Sequence, residues 1–310
     1  MAELRNAWAD ALNSNIRKIY GEELKQVPTQ YQNVFTIENS SRDREIESSA
    51  SGLSQFVLTG ENQPVTYEDR NQGYDVTYTH QKWAKAISIS KEMWDDDRFG
   101  VMKRGTQDLA RSKMRTKDSI GADIFNYSFT SGGGGKAPFT AGDAVALFSA
   151  SHPRSDGGAV QSNTTTTDFN EASLETALVT MRATLDDKGE LQGITPDTLL
   201  IAPALEKEAR ILLESSGRVG TANNDTNPYQ GRLNIVVWDR LGSAAGGSDT
   251  AWFVLDKSYN KLIYFNRMDT GLQGPDYDFD NDVAKWKDSF RCLPGWSDWR
   301  GLYGSKGDNS

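Results

Sequence analysis

The chain has little with which to do chemistry. One cysteine, Cys292, and two histidines, His80 and His152, stand among 310 residues. A lone thiol excludes an internal disulfide and any zinc site built from several cysteines, and it suits a reducing compartment. Two histidines cannot build a His-rich metal centre. No run approaches the ~20 apolar residues of a membrane span. The start, "MAELRNAWADALNSNIRKIY", is amphipathic and lacks the apolar core of a secretion signal. Positive charge is not in excess either. A formal charge of −9 gives no general attraction to nucleic acid or anionic membrane, although a local basic patch can still touch nucleic acid. These absences predict a soluble cytoplasmic product with no cofactor and no metal. Hydrophobic content of 37%, with 12 Phe, 11 Tyr and 8 Trp, is enough for a core in one large domain or two modest ones.

The layout is uneven. Leu4, Trp8, Leu12, Ile16 and Ile19 predict a helix over residues 1–25, ended by Pro28. Residues 36–75 are polar and charged, interrupted only by "LSQFVL". "YDVTYTHQKWAKAISIS" then alternates, with Val76, Tyr78, His80 and Lys82 on one face. The two runs predict a long hairpin too poor in apolar residues to make its own core. Such a segment projects and becomes ordered on something else. From Arg98 to about Phe129 there is no proline, and Met102, Leu109, Ala110, Met114, Gly121, Ile124 and Phe125 recur at helical spacing. A helix of ~45 Å is expected, opened by the carboxylates of "WDDDRFG" and ended by the flexible "SGGGGKAP".

An α/β pattern follows. Asp168 and Glu171 read as a capping box before a helix that buries Leu174, Leu178, Met181 and Leu185 and stops at Gly189. "TLLIA" is a buried strand, and Pro203 opens a helix carrying Leu205, Ala209, Leu212 and Leu213. "LNIVVW", "AWFVL" and "KLIYF" are further strands, and "SFRCLPGWSDWRGLYG" closes the chain with strand and turn.

Each motif with chemical promise has a plainer explanation. In "LFSASHPRSDGG" the serines neighbour His152, but sequence neighbours rarely face each other as nucleophile and base, and no G-x-S-x-G elbow exists. A loop turned by Pro153, Gly157 and Gly158 is the stronger reading of Ser151–His152. "SGGGGKAP" fails the phosphate-loop pattern at Thr130 and Ala137. "DYDFDND" fails the calcium-loop pattern at Asn281 and Lys287, and fits a strand with one wet face. No catalytic constellation emerges. Appendages without cores instead point to assembly through many weak contacts.

Eight strings taken in order resemble tailed-phage major capsid proteins of the Hong Kong 97-type fold, in their Mu-like head subunit branch. They are "ALNSNIRKIY", "YTHQKWAKAISISKEMWDDDRFG", "ADIFNYSFT", "LFSASHPRSDGGAVQSNT", "PDTLLIAPALEKEARILLES", "NDTNPYQGRLNIVVWDRL", "AWFVLD" and "RCLPGWSDWRGLYGSKG". The resemblance implies an α+β Hong Kong 97-type capsid fold in four parts. Residues 1–35 would be an N-terminal arm and 36–90 an extended β-hairpin loop over a neighbour. Residues 91–139 and 251–310 would form a peripheral domain with a long spine helix, and 140–250 an α/β axial domain. It implies a shell of pentamers and hexamers enclosing double-stranded DNA, with no enzymatic activity. The implied partners are further copies of the chain, a separate scaffolding protein, a portal and a decoration protein. The implied place is the virion, assembled in the host cytoplasm. Intersubunit candidates are Trp8, Arg42, Arg44, Glu45, Phe56, Glu68 and Arg70. Lys103, Arg104, Arg111 and Lys113 are candidates for non-specific DNA contact at the inner face or for salt bridges. The resemblance gives no motif for a Lys–Asn crosslink. A tail or tube protein and a hydrolase at Ser151–His152 are the rival readings.

Overall fold

The computed structural model describes residues 16–70, 72–90, 100–131, 142–217, 225–278, 280–281 and 283–307. The first helix, α1, covers 16–26 and ends before Pro28. Its buried residues Ile16 and Tyr20 meet Leu109 and Trp286 in a small cluster. Leu4, Trp8, Leu12, the carboxylates of "WDDDRFG" and the glycine joint lie outside the described residues.

The long helix, α2, runs Gly100–Asn126, about 40 Å at ~1.5 Å per residue. It packs at two places along its length. Leu109 and Ala110 join the cluster under α1, while Ala122, Ile124 and Phe125 enter the main core. Gly121 permits close packing, since a Cβ there would lie 3.0 Å from Tyr31 Cβ and 3.2 Å from the Trp238 ring. Asp118 ties this region together. Its Oδ1 accepts the backbone N–H groups of Gln30 and Tyr31 at 2.9 and 3.0 Å, and its Oδ2 accepts the Trp238 indole N–H at 3.1 Å.

Two five-stranded sheets flank this spine. The first joins β1 (Thr36–Asn39), β9 (Leu262–Asp269), β11 (Val283–Trp296) and β10 (Gln273–Asp278) in that order, with β4 (Gln81–Ser90) also paired to β11. The second has the order β5 (Thr164–Thr165), β12 (Leu302–Ser305), β8 (Trp252–Leu255), β6 (Thr198–Ile201) and β7 (Asn234–Val237). Strand β6 is buried throughout because both its faces are covered. Leu200 points into the main core, whereas Leu199 and Ile201 point into a second cluster. Helices α3 (Glu171–Arg182) and α4 (Glu206–Glu214) supply that cluster with Leu174, Leu178, Ala209 and Leu213. The remaining strands, β2 (Arg44–Ala50) and β3 (Gln72–Thr79), form a separate antiparallel ladder.

The structure corrects the sequence reading in several places. "LSQFVL" is not a strand; the hairpin partner of β3 is the polar run Arg44–Ala50. The apolar residues of 53–58 have no ladder partner and face solvent. The alternation after Val76 and Tyr78 breaks at His80, where β3 gives way to β4 in another sheet. Lys82 is consequently exposed, and Ile89 points inward. Helix α3 is capped by Asn170 and Ser173 rather than Asp168 and Glu171: the Asn170 side chain accepts from Ser173 N, and the Ser173 hydroxyl from Asn170 N, each at 2.9 Å. The helix ends at Arg182, leaving Leu185 beyond it in a bridge to Leu191. "DYDFDND" holds the end of β10 and the turn into β11. The second sheet takes strands from both sides of Ala251: β8 pairs with β6, and β12 with β8.

Candidate intersubunit surface

His152 sits where a loop reading places it. It is buried, and its backbone bridges Gln161 through N–H···O bonds of 2.8 and 3.0 Å. Nδ1 lies 2.7 Å from Asp143 Oδ2, and Nε2 lies 3.1 Å from Asn163 Oδ1. The Asn163 amide is fixed by its other bonds: Oδ1 accepts from Ser149 N and Nδ2 donates to the Leu147 carbonyl, each at 2.9 Å. The ring stacks on Trp299 at 4.2 Å. Both nitrogens are thus occupied, and neither serine hydroxyl reaches them. Ser151 Oγ is 3.5 Å from Ser149 Oγ, on the exposed side. A nucleophile without its base performs no acyl transfer. This histidine braces the lead-in to the second sheet.

The hairpin end is different in kind. Between β2 and β3, residues 51–70 form no strand, and Leu53, Phe56, Val57, Leu58, Val65 and Tyr67 are exposed, Phe56 and Leu58 completely. So much apolar surface on one irregular segment makes it the candidate contact surface. Its base is held by polar contacts to the turn at 186–190. Glu68 accepts from Ser54 N and Oγ at 2.9 and 2.7 Å and pairs with Lys188 at 2.9 Å. Those hydrogen bonds, that from Lys188 foremost, hold its carboxyl down at about 2. Gln55 donates to Glu190 at 2.6 Å, and Arg70 donates to the Ser51 carbonyl at 3.3 Å.

The candidate residues therefore separate. Phe56 is fully exposed. Glu68 and Arg70 brace the segment's own base. Arg42 lies 3.8 Å from Glu45, whose carboxylate also accepts from Ser40 Oγ at 2.7 Å. Arg44 is exposed at the start of β2. Trp8 lies outside the described residues.

Of the helix cations, Lys103 and Arg104 are exposed. Arg111 pairs with Glu23 of α1 at 2.6 Å. Lys113 takes the salt-bridge alternative. It is 6% exposed and pairs with Asp288, 4% exposed, at 2.8 Å, and also with Asp269. Lys117 pairs with Asp269 at 2.9 Å, and the Tyr20 hydroxyl donates to Asp288. Burial raises the Asp269 carboxyl, but the two lysines outweigh it and leave the group below the usual range. Sequence reasoning missed this cluster. The available signal was Lys113 and Lys117 four residues apart on the otherwise apolar side of α2.

Among the described residues, no group of three or more His, Cys, Asp or Glu side chains is arranged to hold a metal ion. No described helix is long and apolar enough to cross a membrane.

Residues 73–305 match the model of a family described as Phage capsid protein. No curated protein sequence matches the chain. Among solved structures, the capsid of bacteriophage JBD30 aligns with TM-score 0.58 and 14% identity, over 70% of this chain and 92% of that one. The JBD30 capsid decorated with minor capsid protein trimers aligns with TM-score 0.53 and 13% identity, over 68% and 90%. A chain from Gordonia phage Cozz aligns with TM-score 0.56 and 13% identity, over 92% and 89%. At these identities the likeness is one of fold.

Proposed function

The chain belongs to the phage capsid protein family, as a major capsid protein of Hong Kong 97-type fold that forms the shell, and from that premise we propose how it assembles. Identical copies form pentamers and hexamers that close into an icosahedral shell around double-stranded DNA. The arm at 1–35 and the hairpin at 36–90 clasp adjacent copies. The peripheral domain is built on 91–139, with α2 as spine, and on the part of 251–310 that forms the first sheet. The axial domain comprises 140–250, completed by β8, which pairs with β6, and by β12, which pairs with β8. The ordered strings from "ALNSNIRKIY" to "RCLPGWSDWRGLYGSKG" favour the Mu-like branch. Partners on this reading are a separate scaffolding protein, a portal and a decoration protein of the kind seen on the JBD30 capsid. DNA is touched without sequence preference, with Lys103 and Arg104 as candidates and Lys113 withdrawn. The product is a virion component assembled in the host cytoplasm.

One observation carries the clasp: the exposed apolar set on residues 51–70, which a lone chain leaves to water. Replacing 54–67 by a short Gly-Ser turn tests it. The variant should fold and melt like the parent yet form no shells. Shells of parental size from that variant would overturn the proposal.

A further inference from the structure

Between α2 and the first sheet lies a chamber of about 160 Å³. Strands β4 and β11 form its floor, where the register sets Trp83 beside Phe290 and Lys85 beside Asp288. Leu109 and Ser112 of α2 close it from the other side. Its walls differ in character. Leu109, Phe290 and the Trp83 ring are apolar. Yet two polar atoms of the lining residues, Asp288 Oδ1 and Trp83 Nε1, are buried and have no hydrogen-bond partner among the described residues. Asp288 is 4% exposed, and its other oxygen accepts from Lys113 Nζ at 2.8 Å and from the Tyr20 hydroxyl.

A buried acceptor and a buried donor are both costly to leave unpaired, so the chamber favours an occupant that serves both. A hydroxyl does so with one group, donating its proton and accepting on its lone pairs. Charge on the occupant is disfavoured either way. An ammonium would meet Lys85 and Lys113 in the wall, and an anion would meet Asp288. Size narrows the choice further, since apolar cavities of about 150 Å³ admit a benzene ring. The chamber also has an approach. Trp83, Lys85, Ser112 and Thr116 line in addition a wider cleft of about 590 Å³ that continues along α2 to Arg115 and Asp123. Lys85 Nζ donates to Ser112 Oγ at 3.0 Å, strand to helix, where cleft and chamber share their lining.

We propose that this chamber binds a free, neutral small molecule with one hydroxyl on a phenol-sized apolar body. The hydroxyl donates to Asp288 Oδ1 and accepts from the Trp83 indole N–H, while the body lies against Leu109 and Phe290. The site is independent of the clasp and needs no second copy.

Phenol is the probe. Equilibrium dialysis of the full chain against labelled phenol should show one saturable site per subunit. Benzene leaves both polar atoms unpaired and should bind at least tenfold more weakly. Trp83→Phe keeps a ring in the wall but loses the N–H, and should weaken phenol at least tenfold without weakening benzene. Ser112→Leu fills the chamber from α2 and should abolish binding of both; it decides the question if Trp83→Phe melts far below the parent. N-acetyltyrosinamide carries the same phenol on a backbone too large for the chamber, and should bind at least tenfold more weakly than phenol. No saturable phenol binding, benzene bound as tightly as phenol, or full binding by Ser112→Leu would overturn the site. N-acetyltyrosinamide bound as tightly as phenol would assign the chamber to a partner's tyrosine and overturn it too.

Discussion

Replacing Lys113 by Met should be among the most damaging single changes in the described core. The ammonium is buried between Asp288 and Asp269, with the Phe290 ring 5.8 Å away. Asp269 keeps Lys117 and is half exposed, so its loss is small. Asp288 is 4% exposed, keeps only the Tyr20 hydroxyl, and has an Oδ1 atom with no hydrogen-bond partner. Removing one partner of such a pair leaves an uncompensated buried charge and costs roughly 3–5 kcal/mol. At ~2–4 °C per kcal/mol for a large single chain, the melting temperature of unassembled subunits should fall by roughly 6–20 °C. Lys113→Met/Asp288→Leu removes both charges, and well-packed apolar replacements of buried pairs are often neutral. The double variant should therefore recover most of the loss. Calorimetry or circular dichroism melts of the three proteins decide it. A single variant within about 1 kcal/mol of the parent, or a double variant worse than the single, would refute the reasoning.

Other outcomes follow from the same geometry. Asp118→Ala leaves the N–H groups of Gln30, Tyr31 and the Trp238 indole without their acceptor, and should cost roughly 3 kcal/mol by urea titration. Lys188→Glu should loosen residues 52–69 at neutral pH, seen as faster hydrogen exchange confined to that segment. Acid should do the same in the parent. Glu68 titrates at about 2, below its ordinary 4.5, so its contact is complete above pH 4.5 and lost as pH falls toward 2. Unchanged exchange in both experiments would remove the polar hold at the base. A fluorophosphonate probe should label neither the parent nor Ser151→Ala, because no base reaches Ser151; labelling at Ser151 would revive a hydrolase.

The elements with strong periodicity were legible in the sequence. Leu109, Ile124 and Phe125 mark α2, and "TLLIA" marks β6, because apolar spacing reports burial directly. The hairpin was legible as an appendage but not in its register. Arg44–Ala50 has one large apolar residue, Ile46, and it is exposed, so no apolar alternation announces the strand, while the conspicuous "LSQFVL" is apolar yet stays exposed outside any ladder. Capping by Asn170 was hidden by the equally good-looking pair Asp168 and Glu171. Lys113 illustrates the limit for the candidate surface. Its sequence neighbours show a basic helix, but its partners Asp269 and Asp288 lie more than 150 residues away, and only the tertiary fold shows that its charge is neutralised internally.

The most direct test of assembly is negative-stain electron microscopy of the purified chain, expressed alone and with the proposed scaffolding protein. The account predicts closed polyhedral shells, or free pentamers and hexamers. A monodisperse monomer under every condition, or open tubes and stacked rings in place of shells, would contradict it.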